Sequence, residues 1–261
     1  MAPRLARQGG GGPRPPEREL LYGRNAVIEA LRGRRRARHL YVTEAAAHQP
    51  RVARALSDAT AGNVPVTRLP PEELDRRLPT VNHQGIALEA SAFPYRDLST
   101  LLAEAGGRVI VALDHVQDPQ NLGTLIRTAE ATGCGGLLIP ERRSAGITPA
   151  VVNASAGAVE HLPVALVANL GRAMEQAKAA GYWAIALDAE ADAQPLFATE
   201  VPEPTLLVVG SEGHGVSPSV VDHVDLVVSL PMLGRVESLN AAVAGSIALY
   251  ELLRRRLSKA S

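Results

Sequence analysis

Three polar loops carry most of the residues able to do chemistry. The first, residues 113–127 (LDHVQDPQNLGTLIR), sets Asn121 and Arg127 six positions apart at the opening of a helical pattern, close enough to face one ligand. The second, residues 205–216 (TLLVVGSEGHGV), ends an apolar run in Gly210, Gly213 and Gly215, with Glu212 among them. Clustered glycines let the backbone approach a ligand closely. Their spacing is neither G-x-G-x-x-G nor a Walker G-x-x-x-x-G-K, and Glu212 would repel phosphate, so a ligand of positive or neutral character fits better. The third, residues 230–242 (LPMLGRVESLNAA), carries Gly234 and then Ser238, Leu239 and Asn240 at the head of a long apolar helix. Taken singly, these residues have ordinary readings: Asn121, Glu237 and Ser238 as helix caps, and Arg127 as a solvated charge.

The elements that must hold these loops are legible as rhythm. Apolar runs at 109–113, 137–139, 164–167, 183–187, 206–209 and 226–230 alternate with helical patterns, which predicts a parallel sheet covered on both faces. Ligands of such sheets lie at the carboxyl ends of the strands, where all three loops fall. Upstream, helices are predicted at 25–31, 51–61 and 71–78, and strands at 39–43, 64–67 and 85–90, together a small α/β sandwich. The division is therefore a flexible basic arm (1–19), a small domain (20–92), a linker (93–107) and a larger α/β domain (108–261). Trp183 reads as core and Cys134 as a small buried filler.

The 261 residues include 27 basic and 27 acidic side chains, a balance that by itself argues against a nucleic-acid partner. Divided at residue 100, the chain has 16 basic and 10 acidic residues before and 11 and 17 after, so the two parts carry +6 and −6. Every basic residue of the first part is arginine. Arg34, Arg35, Arg36 and Arg38 follow the first predicted helix and suit phosphate contacts, the alternative being a solvated face. One cysteine excludes an intramolecular disulfide and a cysteine-rich zinc site, and the seven histidines lack ligand spacing, so no metal is expected. No apolar run reaches the ~20 residues of a membrane span and no secretory pattern opens the chain, so a cytoplasmic protein away from membranes is expected.

Together the three loops resemble the SpoU (TrmH) class of the SPOUT superfamily, RNA ribose 2′-O-methyltransferases that use S-adenosylmethionine. The motif N-x-G-x-x-x-R appears as Asn121, Gly123 and Arg127. G-x-E-x-x-G appears as Gly210, Glu212 and Gly215, and P-M-x-G-x-x-x-S-L-N as Pro231, Met232, Gly234, Ser238, Leu239 and Asn240. Residues 20–92, with LYGRNAVIEAL near the start and a His83-Gln84-Gly85 turn before the last strand, look like the substrate-binding domain of many members. The arrangement is most similar to the RlmB group, which methylates a guanosine in the P loop of 23S rRNA.

The resemblance implies a small α/β RNA-binding domain followed by an α/β trefoil-knot methyltransferase domain, a threading that no periodicity predicts. It implies a cofactor held at Gly210, Leu230, Met232, Gly234 and Leu239. It places Arg127 at the 2′-hydroxyl, oriented with Asn121, Glu212, Ser238 and Asn240. RNA would be met by Arg24, Arg34, Arg35, Arg36, Arg38, His83 and Gln84, and the protein would be a homodimer. An arginine with a reference pKa above 12 suits stabilisation of a developing alkoxide better than the role of base. The alternatives are another rRNA or tRNA nucleotide as target, a non-catalytic RNA-binding protein, and a nucleotide-cofactor oxidoreductase, the last disfavoured by the missing dinucleotide fingerprint.

Overall fold

A computed structural model describes residues 18–189, 193–211, 213, 215–236 and 238–259. The N-terminal unit runs β1 (Arg18–Tyr22), α1 (Arg24–Arg32), β2 (Ala37–Val42), α2 (Glu44–Ala47), α3 (Pro50–Ala61), β3 (Val66–Arg68), α4 (Pro71–Arg77) and β4 (Ile86–Ser91). Its sheet has the order β1-β4-β2-β3, with β1 and β2 antiparallel to β4 and β3 parallel to β2. Val52, Ala55 and Ala59 recur at helical spacing and bury one face of α3. Helix α4 opens on Pro70-Pro71, places Glu72 and Glu73 in its first turn and Arg76 and Arg77 in its last, and so complements its dipole at both ends.

The second unit begins with α5 (Leu98–Ala105) and continues β5 (Ile110–Leu113), α6 (Pro119–Ala131), β6 (Gly136–Pro140), α7 (Pro149–Ala154), a 3₁₀ turn at Ala158–Glu160, β7 (Val164–Val167), α8 (Leu170–Ala179), β8 (Trp183–Leu187), β9 (Gln194–Pro195), β10 (Thr205–Val209), α9 (Pro218–Val221), β11 (Leu226–Ser229) and α10 (Ala241–Lys259). Seven strands in the order β7-β6-β5-β10-β8-β11-β9 form one sheet, and every described pairing in it is parallel. Strands β5 and β10 are buried at every residue, which explains their unbroken apolar runs. Register sets the site: Val209 lies opposite both Leu113 and Leu187, so Asp114, Gly210 and Asp188 leave the sheet in one row. After β11, on the flank beyond β8, the chain returns and α10 packs on α6, the helix that follows β5.

The structure adds to the expected elements. Arg18 and Glu19, read as part of a flexible arm, pair with Ser91 and Ala90 as the start of an edge strand. Residues 93–107, read as a linker, contain α5, whose Leu101 and Ala105 are fully buried. The remainder of the arm lies outside the described residues. Trp183 is not core: it heads β8 and is 48% exposed, whereas Cys134 is buried as expected. One apolar core runs through both units, joining Leu21, Val27 and Ile28 to Val151, Val152 and Val159.

Candidate active site

Two carboxylates at strand ends staple the loop that follows β10. Asp114 Oδ2 accepts from the Ser217 N–H at 2.7 Å. Asp188 Oδ2 accepts from the Val216 N–H at 2.7 Å, while its Oδ1 accepts from the Ala189 N–H. Within the loop, Ser211 and Gly215 exchange backbone hydrogen bonds of 3.0 and 3.2 Å. A β-carbon at Gly210 would stand 2.1 Å from the Gly215 carbonyl oxygen, so glycine there is required by the loop folding back on itself. The sequence reading assigned it to the approach of a ligand; the nearer obstacle is the chain.

Beside this loop is a cavity of about 490 Å³, walled by Gly210, Leu230, Met232, Ser238 and Leu239 among others, with Asp188 in its lining and, among the described residues, no lysine or arginine. Four of the five expected cofactor residues are therefore together. Gly234 is not: it is exposed, outside the lining, and a β-carbon there would meet nothing within 4 Å. A second cleft of about 670 Å³ shares Ser211, Gly215 and Ala241 with the first and is lined by His115, Gln117, Asp118, Asn121 and Ser217.

Asp118 caps α6 by accepting from the N–H groups of Gln120 and Asn121. That fixes Asn121 at the cleft, where its Oδ1 accepts from Asn240 Nδ2 at 2.9 Å. Asn240 Oδ1 in turn accepts from the N–H groups of Ala242 and Val243 at the head of α10. Gly123 lets α6 lie against α7, since a β-carbon there would meet Ala154 Cβ at 2.4 Å. Six residues along a helix are about 120° away around its axis, and Arg127 is exposed and stands outside the described linings of both cavities. Glu212 lies outside the described residues.

This row of strand-end loops agrees with the comparison to known families. The SpoU rRNA Methylase family model matches residues 108–250. The chain belongs to that family. A second family model, described as RNA 2′-O ribose methyltransferase substrate binding, matches residues 20–96. The SpoU-family chain is 39% identical over 242 residues to an uncharacterized tRNA/rRNA methyltransferase of Synechocystis sp., covering 91% of itself and 63% of that protein. It is 36% identical to YacO of Bacillus subtilis, which carries a TrmH family tRNA/rRNA methyltransferase name, over 92% of itself and 97% of that chain. The solved SpoU methyltransferase AviRb of Streptomyces viridochromogenes, in complex with AdoMet, superposes with a TM-score of 0.77 at 26% identity, over 93% of this chain and 92% of that one. An AdoMet-bound rRNA methyltransferase of Sinorhizobium meliloti also gives 0.77 at 26% identity, over 92% and 88%.

In the small domain of this SpoU methylase, the expected RNA contacts divide. Arg24, His83 and Gln84 are together: Gln84 Oε1 accepts from the Arg24 N–H at 3.2 Å, and His83 bridges the Gly85 N–H and Asp75. Arg36 is exposed and Arg38 half-buried. Arg34 is exposed and donates to the His161 carbonyl. Arg35 is a correction. Its side chain is fully buried between the two units, paired with Glu19, 2.9 Å from Glu160 Oε1 without the alignment of a hydrogen bond, and over the Phe93 ring. A buried guanidinium between carboxylates has no free face for phosphate. Burial pushes the Glu160 carboxyl up from its ordinary range, and the Arg35 charge opposes that shift.

Residues the sequence reading passed over are Asp114, His115, Asp188, Ser211 and Ser217. The available signal was position: Asp114 and Asp188 each stand one residue beyond a buried parallel strand. Among the described residues, no group of His, Cys, Asp or Glu side chains converges as metal ligands, and no helix is long and apolar enough to cross a membrane.

Proposed function

We propose that the chain transfers a methyl group from S-adenosylmethionine to a ribose 2′-hydroxyl of RNA, with a guanosine in the 23S rRNA P loop as target. The observation that carries this reading is the pair of joined clefts at the strand ends. One is walled by apolar side chains, glycine backbone and an aspartate, with no lysine or arginine among its described lining residues, suited to a cationic sulfonium cofactor; the other has the size and polar lining for an extruded nucleotide. When bound, the cofactor supplies an activated methyl group and its own leaving group. Leu230, Met232 and Leu239 exclude water and pack the cofactor's apolar surface, Ser238 offers a hydroxyl, and the Ser211–Gly215 loop supplies backbone groups. Asn121 and Asn240, locked together, set the wall between the α6 and α10 starts. Glu212 keeps its proposed role from the motif. Arg127, exposed on α6, keeps its motif role at the ribose 2′-hydroxyl, where its guanidinium stabilises the developing alkoxide.

Arg24, Arg36, Arg38, His83 and Gln84 form the RNA-facing part of the small domain, with Arg34 beside them. A homodimer is proposed through α10, whose Val243, Ile247, Tyr250 and Leu257 are exposed while Ala242, Ala248, Leu249 and Leu252 are buried. Calorimetry tests the cofactor: S-adenosylmethionine binds, a nicotinamide dinucleotide does not, and the reverse result would return the fold to dinucleotide chemistry. The names of the relatives favour keeping a tRNA target as a second reading. Mapping of methyl marks in rRNA and tRNA with and without the gene separates the two.

A further inference from the structure

The 11 basic side chains after residue 100 divide by their partners. Arg108, Lys178, Arg254, Arg255, Arg256 and Lys259 are each held by a carboxylate or a backbone carbonyl. Arg127, Arg142, Arg143, Arg172 and Arg235 are exposed, and among the described residues none of their side chains has a hydrogen bond or an ion pair. Arg127 is assigned to the 2′-hydroxyl. Arg142 and Arg143 stand side by side in the loop after β6, the strand that pairs with β5, and so at the sheet end that carries both clefts. The loop is pinned on either side of them. The Glu141 N–H donates to the Val167 carbonyl, and the Ala145 N–H donates at 3.0 Å to the carbonyl of Val116, a residue of the nucleotide-cleft wall. Ile147, buried, donates its N–H to Tyr95 Oη at 2.8 Å. The pair therefore sits on a fixed turn beside the cleft. Glu141 precedes the two arginines, so the turn keeps a net positive charge. Arg143 adopts φ +59°, a left-handed conformation that glycine or asparagine takes at lower cost. The cleft wall itself carries Asp118 and, among the described residues, no lysine or arginine. A nucleotide seated there brings a phosphodiester on each side, and those phosphates need cations from beyond the wall.

We propose that Arg142 and Arg143 grip the phosphates that flank the target nucleotide on the RNA strand, an inference that rests on the ribose-methylation reading. Each guanidinium offers a planar fork of N–H donors that fits a phosphate bidentately, which fixes the strand at the cleft mouth without reading its bases. The large unit then meets the substrate backbone itself, in addition to the small domain. These contacts exist before and during methyl transfer alike, so their loss weakens RNA binding and leaves the chemical step nearly intact.

The test uses the full chain with S-adenosylmethionine, unmodified 23S rRNA and unmodified tRNA, and follows whichever RNA wild type methylates. Arg142→Gln with Arg143→Asn, asparagine being chosen for the left-handed backbone, is compared with wild type and with Arg142→Lys plus Arg143→Lys. In the neutral pair, the half-saturating RNA concentration rises about tenfold or more at about 0.1 M salt, and the slope of log affinity against log salt falls by about 1–2. The single-turnover rate at saturating RNA stays within about threefold of wild type, and cofactor affinity is unchanged. The lysine pair keeps most of the slope, because the charges remain. Ethylation of the phosphates next to the methylated nucleotide interferes with binding to wild type, and the neutral pair loses that interference. Should the neutral pair fail to fold, Arg142→Gln alone, outside the left-handed region, gives about half the slope change. An unchanged affinity and slope, or interference confined to phosphates away from the methylated nucleotide, overturns the inference while leaving the ribose reading intact. A wild-type enzyme that methylates a base or no RNA overturns the ribose reading, and this inference with it.

Discussion

Asn240 Nδ2 donates to Asn121 Oδ1 across 2.9 Å, which joins the starts of α10 and α6 at the wall of the nucleotide cleft. The same Asn240 caps α10 with its other side-chain atom, accepting from Ala242 and Val243. The two duties are separable. Asn240→Asp keeps an oxygen for the cap and loses the donor to Asn121. The expected result is a thermal midpoint within a few degrees of wild type and a methyl-transfer rate at least about tenfold lower. Asn240→Ala loses both duties and costs about 1 kcal/mol of stability in addition. Thermal melts and single-turnover rates on the two variants check this.

Arg35 belongs to the junction between the units rather than to an RNA surface. Removing it leaves Glu160, fully buried, and Glu19, nearly so, without their cation. Arg35→Ala should cost about 3–5 kcal/mol in denaturant unfolding, the penalty of an uncompensated buried charge. Arg36→Ala, at an exposed site, should leave stability unchanged and lower both RNA affinity and the slope of its salt dependence. A stable Arg35→Ala with weakened RNA binding would instead place Arg35 on the RNA-facing surface.

Glu251 holds α10 to the end of the sheet. Hydrogen bonds from Arg254 and Arg255 bring its carboxyl down from 4.5 to about 2, and Arg255 also donates to the carbonyls of Leu196 and Thr199. A folded-state pKa below the unfolded one contributes stability that is fully present above pH 4.5 and is lost as pH falls through about 2. Glu251→Gln should therefore be less stable than wild type by about 1–3 kcal/mol at neutral pH. The difference should shrink toward zero as pH falls through that window, as followed by denaturant titrations at several pH values.

The strands of the large sheet were legible because parallel strands buried on both faces must be apolar at every position, as β5 and β10 are. Strand β1 was partly hidden because Arg18 and Glu19 start an edge, where charges are tolerated, and β9 is too short to show a pattern. At the site, Gly210, Leu230, Met232, Ser238 and Leu239 proved to share one cavity because motif order along parallel strands becomes adjacency at their ends. Arg127 stands about 120° around α6 from Asn121 and outside the described linings of both cavities, a phase that a spacing of six does not preserve. Arg35 failed because its partner Glu160 is distant in sequence, and a run of arginines looks the same whether solvated or buried. Asp114 and Asp188 act on backbone N–H groups of another loop, a relation absent from any local pattern. The opposite charges of the chain's two parts stand, but their separation is incomplete: the continuous core through Leu21, Val27 and Val151 means that removing residues 1–92 would expose apolar surface as well as delete an RNA-facing domain.

The central claim is methyl transfer to a ribose oxygen of RNA. The most direct measurement incubates the purified protein with S-adenosylmethionine labelled in its methyl group and 23S rRNA lacking its own modifications, digests the RNA to nucleosides, and identifies the labelled product by mass. The account predicts label in a 2′-O-methylated nucleoside, guanosine for the proposed target. Label on a base, or no label in either 23S rRNA or tRNA, would contradict it.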